Sequence, residues 1–267
     1  MGCASHMAAT PVGCHPTRTL RCGAQIGAGS RVNCPVVTTL GSSAVFIAGI
    51  PSAIWGTNCW VVASGDGEHC LIVDPGADVG SRLEDILTEH RLHPVAVMLT
   101  HGHIDHTYSV VPVCEAHDVP AYIHPADRPQ LTDPWSWLGI VPGAALPGLP
   151  QLTFAEPDDV RELADASTIT LAGLPVAIRH TPGHTAGSVI FELSDDDKHA
   201  LVFAGDLVFA GSIGRVDLPG GSMDEMLHSL KAVILPMADD TVIYPGHGET
   251  TTVGMERSTN PFLRELA

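Results

Sequence analysis

Cations are scarce in this sequence. It holds 13 Lys and Arg against 30 Asp and Glu, a formal net charge of −17 over 267 residues. A nucleic-acid partner needs clustered Lys and Arg, so that class is excluded, and an anionic membrane surface is disfavoured on the same ground. No apolar run approaches the roughly 18–20 residues that cross a bilayer. There is no apolar h-region ahead of a small-residue cleavage site, so no signal peptide is read. Position 6, where a myristoylation motif needs Ser or Thr, is His6. The seven cysteines are an odd number, none forms a C-x-x-C pair, and the chain is too long to need disulfide staples. Cys59, Cys70 and Cys114 sit in apolar segments and read as small core residues. A reducing, cytoplasmic setting follows.

What is there is enough to fold. Hydrophobic residues make up 45% of the chain, and 267 residues suffice for a sizeable core. Residues 1–44 differ from the rest: Gly, Ala, Ser, Thr and Cys without a sustained period, and with Ser5-His6-Met7 resembling a cloning remnant. They are expected to be a poorly ordered extension or an upstream-start artefact, with no role for Cys3, Cys14, Cys22 or Cys34. The domain is expected to span residues 45–267.

Within it, Ala44–Ala48, Asn58–Val62, Cys70–Val73 and Val95–Leu99 read as strands, and 80–91 as a helix with Leu83, Ile86, Leu87 and His90 on one face. A helix over about 106–117 and a strand over 121–123 follow. Residues 125–150, rich in Pro, Gly and Trp, read as a long loop of the kind that serves as a functional lid. Strands are expected again near 168–171, 174–179, 188–193, 200–204 and 241–244, with helices near 222–234 and 261–266. Two similar halves of alternating strands and helices suggest two sheets packed face to face with helices outside.

The chemistry concentrates where strands end. Thr100-His101-Gly102-His103-Ile104-Asp105-His106 follows the apolar strand 95–99 directly. Residues i and i+2 leaving a strand point the same way, so His101 and His103 can share one metal. Asp105 and His106 are adjacent, point elsewhere, and can reach a second metal. His184 in Pro182-Gly183-His184-Thr185, Asp206 in Gly205-Asp206, and His247 in Pro245-Gly246-His247-Gly248 each stand at a strand end beside glycine. Alone, each is a loop residue. Together, His101, His103 and His184 offer three nitrogens to one metal, Asp105, His106 and His247 serve the other, and Asp206 has two oxygens with which to bridge both.

This H-x-H-x-D-H set, followed by H, D and H, resembles the metallo-β-lactamase superfamily. Thr100–His106, Pro182–Thr185, Gly205-Asp206 and Pro245–Gly248 resemble its glyoxalase II (hydroxyacylglutathione hydrolase) branch. Gly214–Gly221 and Glu256–Leu263 are similar to short bacterial members of that branch. The resemblance runs from about residue 45 to the C-terminus. It implies an α/β fold, the αββα four-layer sandwich, with metals at one edge between the sheets. It also implies that Asp74, in Val73-Asp74-Pro75-Gly76, orients a metal-bound histidine; an Asx-type turn before Pro75 is the other reading. Two departures stand out. The longer glyoxalase II type carries a C-terminal helical domain with cationic contacts to glutathione, whereas this sequence ends about 20 residues past His247. Leu207 replaces the threonine usual after the bridging aspartate.

The expected activity is hydrolysis of small 2-hydroxyacyl thioesters on two divalent ions. Zinc is expected, and iron or manganese suit the same N/O ligands. A hydroxide between the ions acts as nucleophile, with Asp105 orienting it and Asp206 bridging. The enzymatic alternative is a persulfide dioxygenase holding one iron on His101, His184 and Asp206. Lactonase or β-lactamase activity, and a metal-binding module without activity, are further alternatives. Arg215 is the candidate for a substrate anion, or else pairs with Asp217. Trp135, Trp137 and Leu138 either line a cleft or pack the loop down. Tyr244 is read as core, and His117, His124 and His180 as surface or packing residues.

Overall fold

The structure, a computed structural model, describes the strand residues 18–19 and 36–40 together with residues 43–139, 154–194 and 200–266. Two sheets form the centre. The first has eight strands in chain order: β1 (Arg18–Thr19), β2 (Val36–Leu40), β3 (Ser43–Pro51), β4 (Asn58–Ala63), β5 (His69–Val73), β6 (His93–Met98), β7 (Ala121–Ile123) and β8 (Val160–Glu162). It is antiparallel from β1 to β5 and parallel from β5 to β8. The second contains β9 (Ser167–Leu171), β10 (Leu174–His180), β11 (Val189–Ser194), β12 (Ala200–Gly205), β13 (Val242–Pro245) and β14 (Thr251–Thr252), in the order β14-β13-β12-β11-β10-β9. Only β12 and β13 pair in parallel there.

The period of two along the strands decides the layers. In β4, Cys59, Val61 and Ala63 face a cluster with Leu83, Ile86 and Val113, while Trp60 and Val62 face the opposite sheet. In β12, Leu201 and Phe203 face the first sheet, and Val202 and Ala204 face Met226, Leu230 and Ile234. Strands apolar on both faces need cover on both faces, and helices supply the outer layers. On the first sheet these are α1 (Gly80–His90), α2 (Ile104–Thr107), α3 (Val110–His117) and, past β7, the short α4 (Pro134–Trp137). On the second they are α5 (Met223–Ser229), α6 (Val253–Thr259) and α7 (Pro261–Leu266). The four-layer αββα sandwich expected from the sequence is the observed architecture. No helix among the described residues is long and apolar enough to cross a membrane.

Several expected elements differ in detail. The helix expected over 106–117 is two helices broken at Tyr108-Ser109. Ser109 donates through its amide to Pro75 O (2.9 Å) and through its hydroxyl to Gly76 O (2.7 Å), so the chain is drawn onto the loop after β5. The helix expected over 222–234 starts on Ser222, whose hydroxyl accepts from Glu225 N, and finishes as a π-turn over Leu230–Ile234 that keeps Leu230 and Ile234 in the core. Strand β8 and helix α6 have no counterpart in the sequence reading. Of the first 44 residues, Val36–Leu40 pairs antiparallel with β3, Arg18–Thr19 with β2, and Ser43 and Ala44 open β3 itself; the remaining part of the expected extension lies outside the described residues. So do residues 140–150 of the expected lid. Its first half holds a 3-10 turn, Arg128–Leu131, and α4.

Candidate metal centre

All seven predicted ligands leave the C-terminal ends of strands. His101, His103, Asp105 and His106 follow β6, His184 follows β10, Asp206 follows β12 and His247 follows β13. The edges are laced together there: Val189 N donates to Thr100 O (2.8 Å), Gly246 N to Gly205 O (2.7 Å) and Asn58 N to Gly246 O (2.7 Å). Gly205 turns the chain at φ +48°, and a Cβ on it would collide with the Thr100 side chain. A Cβ on Gly102 would stand 2.7 Å from Asp127 O and 2.8 Å from the Gln130 side chain. Both glycines let backbone and side chain approach more closely than any other residue permits.

The seven side chains converge as two overlapping groups. His103 Nδ1 lies 2.8 Å from His184 Nε2, which lies 3.2 Å from His101 Nε2. On the other side, Asp105 Oδ2 lies 3.5 Å from His106 Nε2 and 3.2 Å from His247 Nε2. Asp206 touches both groups: Oδ2 is 3.4 Å from His184 Nε2 and 3.6 Å from His247 Nε2, and Oδ1 is 3.3 Å from His106 Nε2. The triads His101-His103-His184 and Asp105-His106-His247, and the linking set His101-His106-Asp206, each bring their ligand atoms within 4.8 Å of one another. His101, His103, His106, His184 and Asp206 are buried, while the side chains of Asp105 and His247 are 23% and 29% exposed, so the cluster opens to solvent on their side.

The outer ring atoms settle which nitrogens carry protons. His184 Nδ1 faces Arg215 O at 2.7 Å, and a carbonyl only accepts, so Nδ1 holds the hydrogen and Nε2 presents a lone pair inward. His106 Nδ1 donates to Asp74 Oδ2 at 2.9 Å, which aims the Nε2 lone pair at Asp105 and Asp206. Asp74 sits in the left-handed region at φ 50°, is buried, and also accepts from Thr100 N (2.8 Å) and Thr100 Oγ1 (2.6 Å). Asp74 thus contacts one of the candidate ligand histidines. Lone pairs and carboxylate oxygens thus face one another, and His106 Nε2 and Asp206 Oδ1 are buried without a hydrogen-bond partner. Such an arrangement needs cations between its members, so the donor set fits metal.

Electrostatics divide the cluster. Burial, then the neighbouring imidazoles of His106, His184, His103 and His247, push His101 well below the usual histidine range. Burial and His184 lower His103 to about 3. These rings are neutral and ligand-ready. Burial opposes charge at Asp105 and Asp206, but His106 and His247 hold both carboxyls below the usual range. Burial likewise opposes charge on His106, and Asp105 and Asp206 outweigh it, raising that ring: the two carboxylates draw a positive charge, proton or metal ion, to His106 Nε2.

The sequence reading missed the groups that brace the ligands. Thr57 Oγ1 donates to Asp105 Oδ2 at 2.9 Å. Asn58 Nδ2 reaches Pro245 O (3.1 Å) and Gly248 O (2.9 Å), and Trp60 Nε1 also reaches Pro245 O (3.2 Å), fixing the His247 loop. Asp127, fully buried, accepts from Gly102 N (2.9 Å), Thr185 Oγ1 (2.6 Å) and Gly187 N (2.8 Å), tying the His101–His103 turn to the His184 turn. Arg215 contributes its carbonyl to His184, while its exposed guanidinium pairs with Asp217 (2.7 and 2.9 Å). Trp137 lies over Gly220 and Trp135 meets Phe154 edge to face, half-buried. Tyr244 is buried and stacked on Phe203. His124 and His180 stack on each other at 4.2 Å, and His117 lies 2.8 Å from Glu84.

The chain is similar to known proteins in sequence and in fold. The metallo-β-lactamase superfamily model matches residues 54–247. A Mycobacterium tuberculosis protein of uncharacterised function is 45% identical over 231 residues, which is 84% of this chain and 100% of that one. The Haemophilus influenzae hydroxyacylglutathione hydrolase GloC is 31% identical over 80% of this chain and 96% of its own length. Among solved structures, the B3 metallo-β-lactamase BLEG-1 is 34% identical with a TM-score of 0.70, covering 81% of this chain and 99% of that one. TTHA1623, crystallised in a di-iron-bound form, is 30% identical with a TM-score of 0.59, covering 85% and 99%. By its fold, its strand-end histidines and aspartates and these matches, the chain belongs to the metallo-β-lactamase superfamily.

Proposed function

We propose that this protein is a dinuclear metal-dependent hydrolase of small 2-hydroxyacyl thioesters. One observation carries the reading: Asp206 lies between a three-imidazole group and an Asp-His-His group, in contact with both. His101, His103 and His184 would hold one ion, Asp105, His106 and His247 the other, and Asp206 both. When bound, such ions supply Lewis acidity and lower the pKa of water to near 7. Zinc is the metal proposed; the all-N/O ligand set also suits iron or manganese, and the di-iron form of TTHA1623 keeps iron in view.

The chain's own residues complete the chemistry. Asp105 Oδ2 is occupied by Thr57 and His247, which leaves Oδ1 to accept a hydrogen bond from the attacking water and orient it. Asp74 and the Arg215 carbonyl keep His106 and His184 in the tautomers that face inward. A thiolate leaves with little protonation, so a thioester asks for no dedicated acid on the leaving side. The name carried by the Haemophilus relative supports this substrate class. The proposed setting is the cytoplasm, in keeping with free, buried Cys59, Cys70 and Cys114.

A second reading, persulfide dioxygenase on a single iron, draws on the approach of His184 Nε2 to both His101 (3.2 Å) and Asp206 (3.4 Å). Elemental analysis of the purified protein, with parallel assays of lactoylglutathione cleavage, β-lactam cleavage and persulfide-dependent oxygen uptake, separates the readings. The expected result is close to two metal ions per chain and thioester cleavage. One iron per chain with oxygen uptake would replace this reading by the second.

A further inference from the structure

The wall beside the open side of the cluster is aromatic. Ile54 and Trp55 stand at the tip of the β3–β4 turn, where Ser52 Oγ accepts from both their amides at 3.2 and 3.4 Å. Two residues on, Thr57 holds Asp105 through its hydroxyl and bridges His247 through its backbone. The turn is therefore anchored to the two most exposed ligands. Tyr108 lies three residues beyond Asp105 along the α2 turn, so the two side chains leave the same face. The rings of Trp55 and Tyr108 meet edge to face at 5.8 Å, and Phe209 meets His247 edge to face at 5.7 Å. Ile54 is 44% exposed, and the three aromatic residues are half-buried. Tyr108 also borders a cavity of about 210 Å³, whose lining includes Thr107, Val111, Leu131, Pro134 and Phe154.

Charge points the same way. Arg128, Arg179, Arg215 and Arg257 are described arginines near the ligand loops in sequence, and each is already paired: Arg128 with Glu156 and Glu162, Arg179 with Glu192, Arg215 with Asp217 and Arg257 with Asp239. A carboxylate-bearing substrate that drew on one of these arginines would compete with its carboxylate partner, within a chain of net charge −17. An apolar group would need only the aromatic wall and the cavity.

We infer that the substrate carries a neutral, apolar group of aromatic size, seated against Trp55 and Tyr108 and directed towards the cavity beside Tyr108. This rests on the hydrolase reading for the reacting end, and it assigns the non-reacting end.

Uncleavable amides test it without turnover. The benzyl, methyl and carboxymethyl amides of one 2-hydroxy acid are titrated into the metal-loaded protein by calorimetry. The benzyl amide is expected to bind at least tenfold more tightly than the methyl amide, about 1.4 kcal/mol, and the carboxymethyl amide no better than the methyl. Trp55→Ala and Tyr108→Ala should each remove most of the benzyl advantage, and Trp55→Phe should retain it; metal content and circular dichroism report folding of each variant. Equal binding of benzyl and methyl amides, no binding of any, preference for the carboxymethyl amide, or a benzyl advantage that survives both alanine variants overturns the inference. Binding of the amides is independent of thioester cleavage, so failure of the reaction assignment shows in the parallel assays and failure of the apolar site shows here.

Discussion

Asp206 and Asp127 do different work in the same cluster. Asp206 touches His106, His184 and His247 and belongs to both ligand groups. Its replacement by Ala should lower the occupancy of both metals and abolish turnover; an Asp206→Ala protein that keeps two ions per chain by elemental analysis would remove it from the bridging position. Asp127 touches no candidate ligand side chain. It satisfies three buried donors on two ligand turns. Asp127→Ala strands those donors, each worth roughly 1–3 kcal/mol when left unpaired. Loosened second-layer support of metal ligands typically costs 10–100-fold in affinity or activity, so metal affinity should fall by about that factor and the melting temperature should drop. Asp127→Asn, which keeps one acceptor oxygen, should fall between. Unchanged metal affinity in Asp127→Ala, read by competition with a chelator, would show that the tie does not position the ligands. His101 to His106 were legible because ligand spacing is a local property of a strand end. Asp127 was not, because its partners lie up to 60 residues away and nothing in its neighbourhood announces them.

At the scale of elements, periodicity identified the strands and α1 well, since their apolar positions recur at two or at three and four residues. It failed at Tyr108-Ser109, where a tertiary hydrogen bond to Pro75 O redirects the chain. It also missed β8 and α6. In β8 no residue is fully buried, and α6 buries only Val253 and Glu256, so neither carries a strong apolar pattern. The Ser222 cap of α5 offers a direct measure of an element: Ser222→Ala should cost about 1 kcal/mol, roughly 2–4 °C in melting temperature for a protein of this size. A melting temperature that does not change would mean that the bond from Glu225 N contributes nothing. Strand β2 is the other case. Truncation before Val36 should leave the melting temperature nearly unchanged, whereas truncation past Leu40 unpairs the edge of β3 and should lower it by several degrees. Equal effects of the two truncations would show that the β2–β3 pairing adds no stability.

For the whole molecule, metal and fold should be linked. The cluster places inward lone pairs and carboxylates within 4.8 Å of one another, buried between the two sheets' strand ends. Ions that bind this arrangement and not the unfolded chain stabilise the native state in proportion to the logarithm of their saturation. Chelator-treated protein should therefore melt lower than metal-loaded protein, having lost about 4 kcal/mol of stability per ion at a thousandfold excess over the dissociation constant, and the difference should disappear in Asp206→Ala. Equal melting with and without chelator in the wild-type chain would show that the cluster holds its shape without ions.

The residue types, their spacing and their place at strand ends belong to the sequence itself. A His two residues from a His at the end of an apolar strand shares its direction whatever the rest of the chain does, and alternating apolar strands require two sheets with cover on both faces. The tertiary structure decided what those residues meet. It set Asp206 between two groups, turned His184 inward with the carbonyl of Arg215, and placed Trp55 against Tyr108. Each of these contacts joins segments on different strands or loops. Their geometry is fixed by how two sheets pack at one edge, a long-range property that no local pattern of residues encodes.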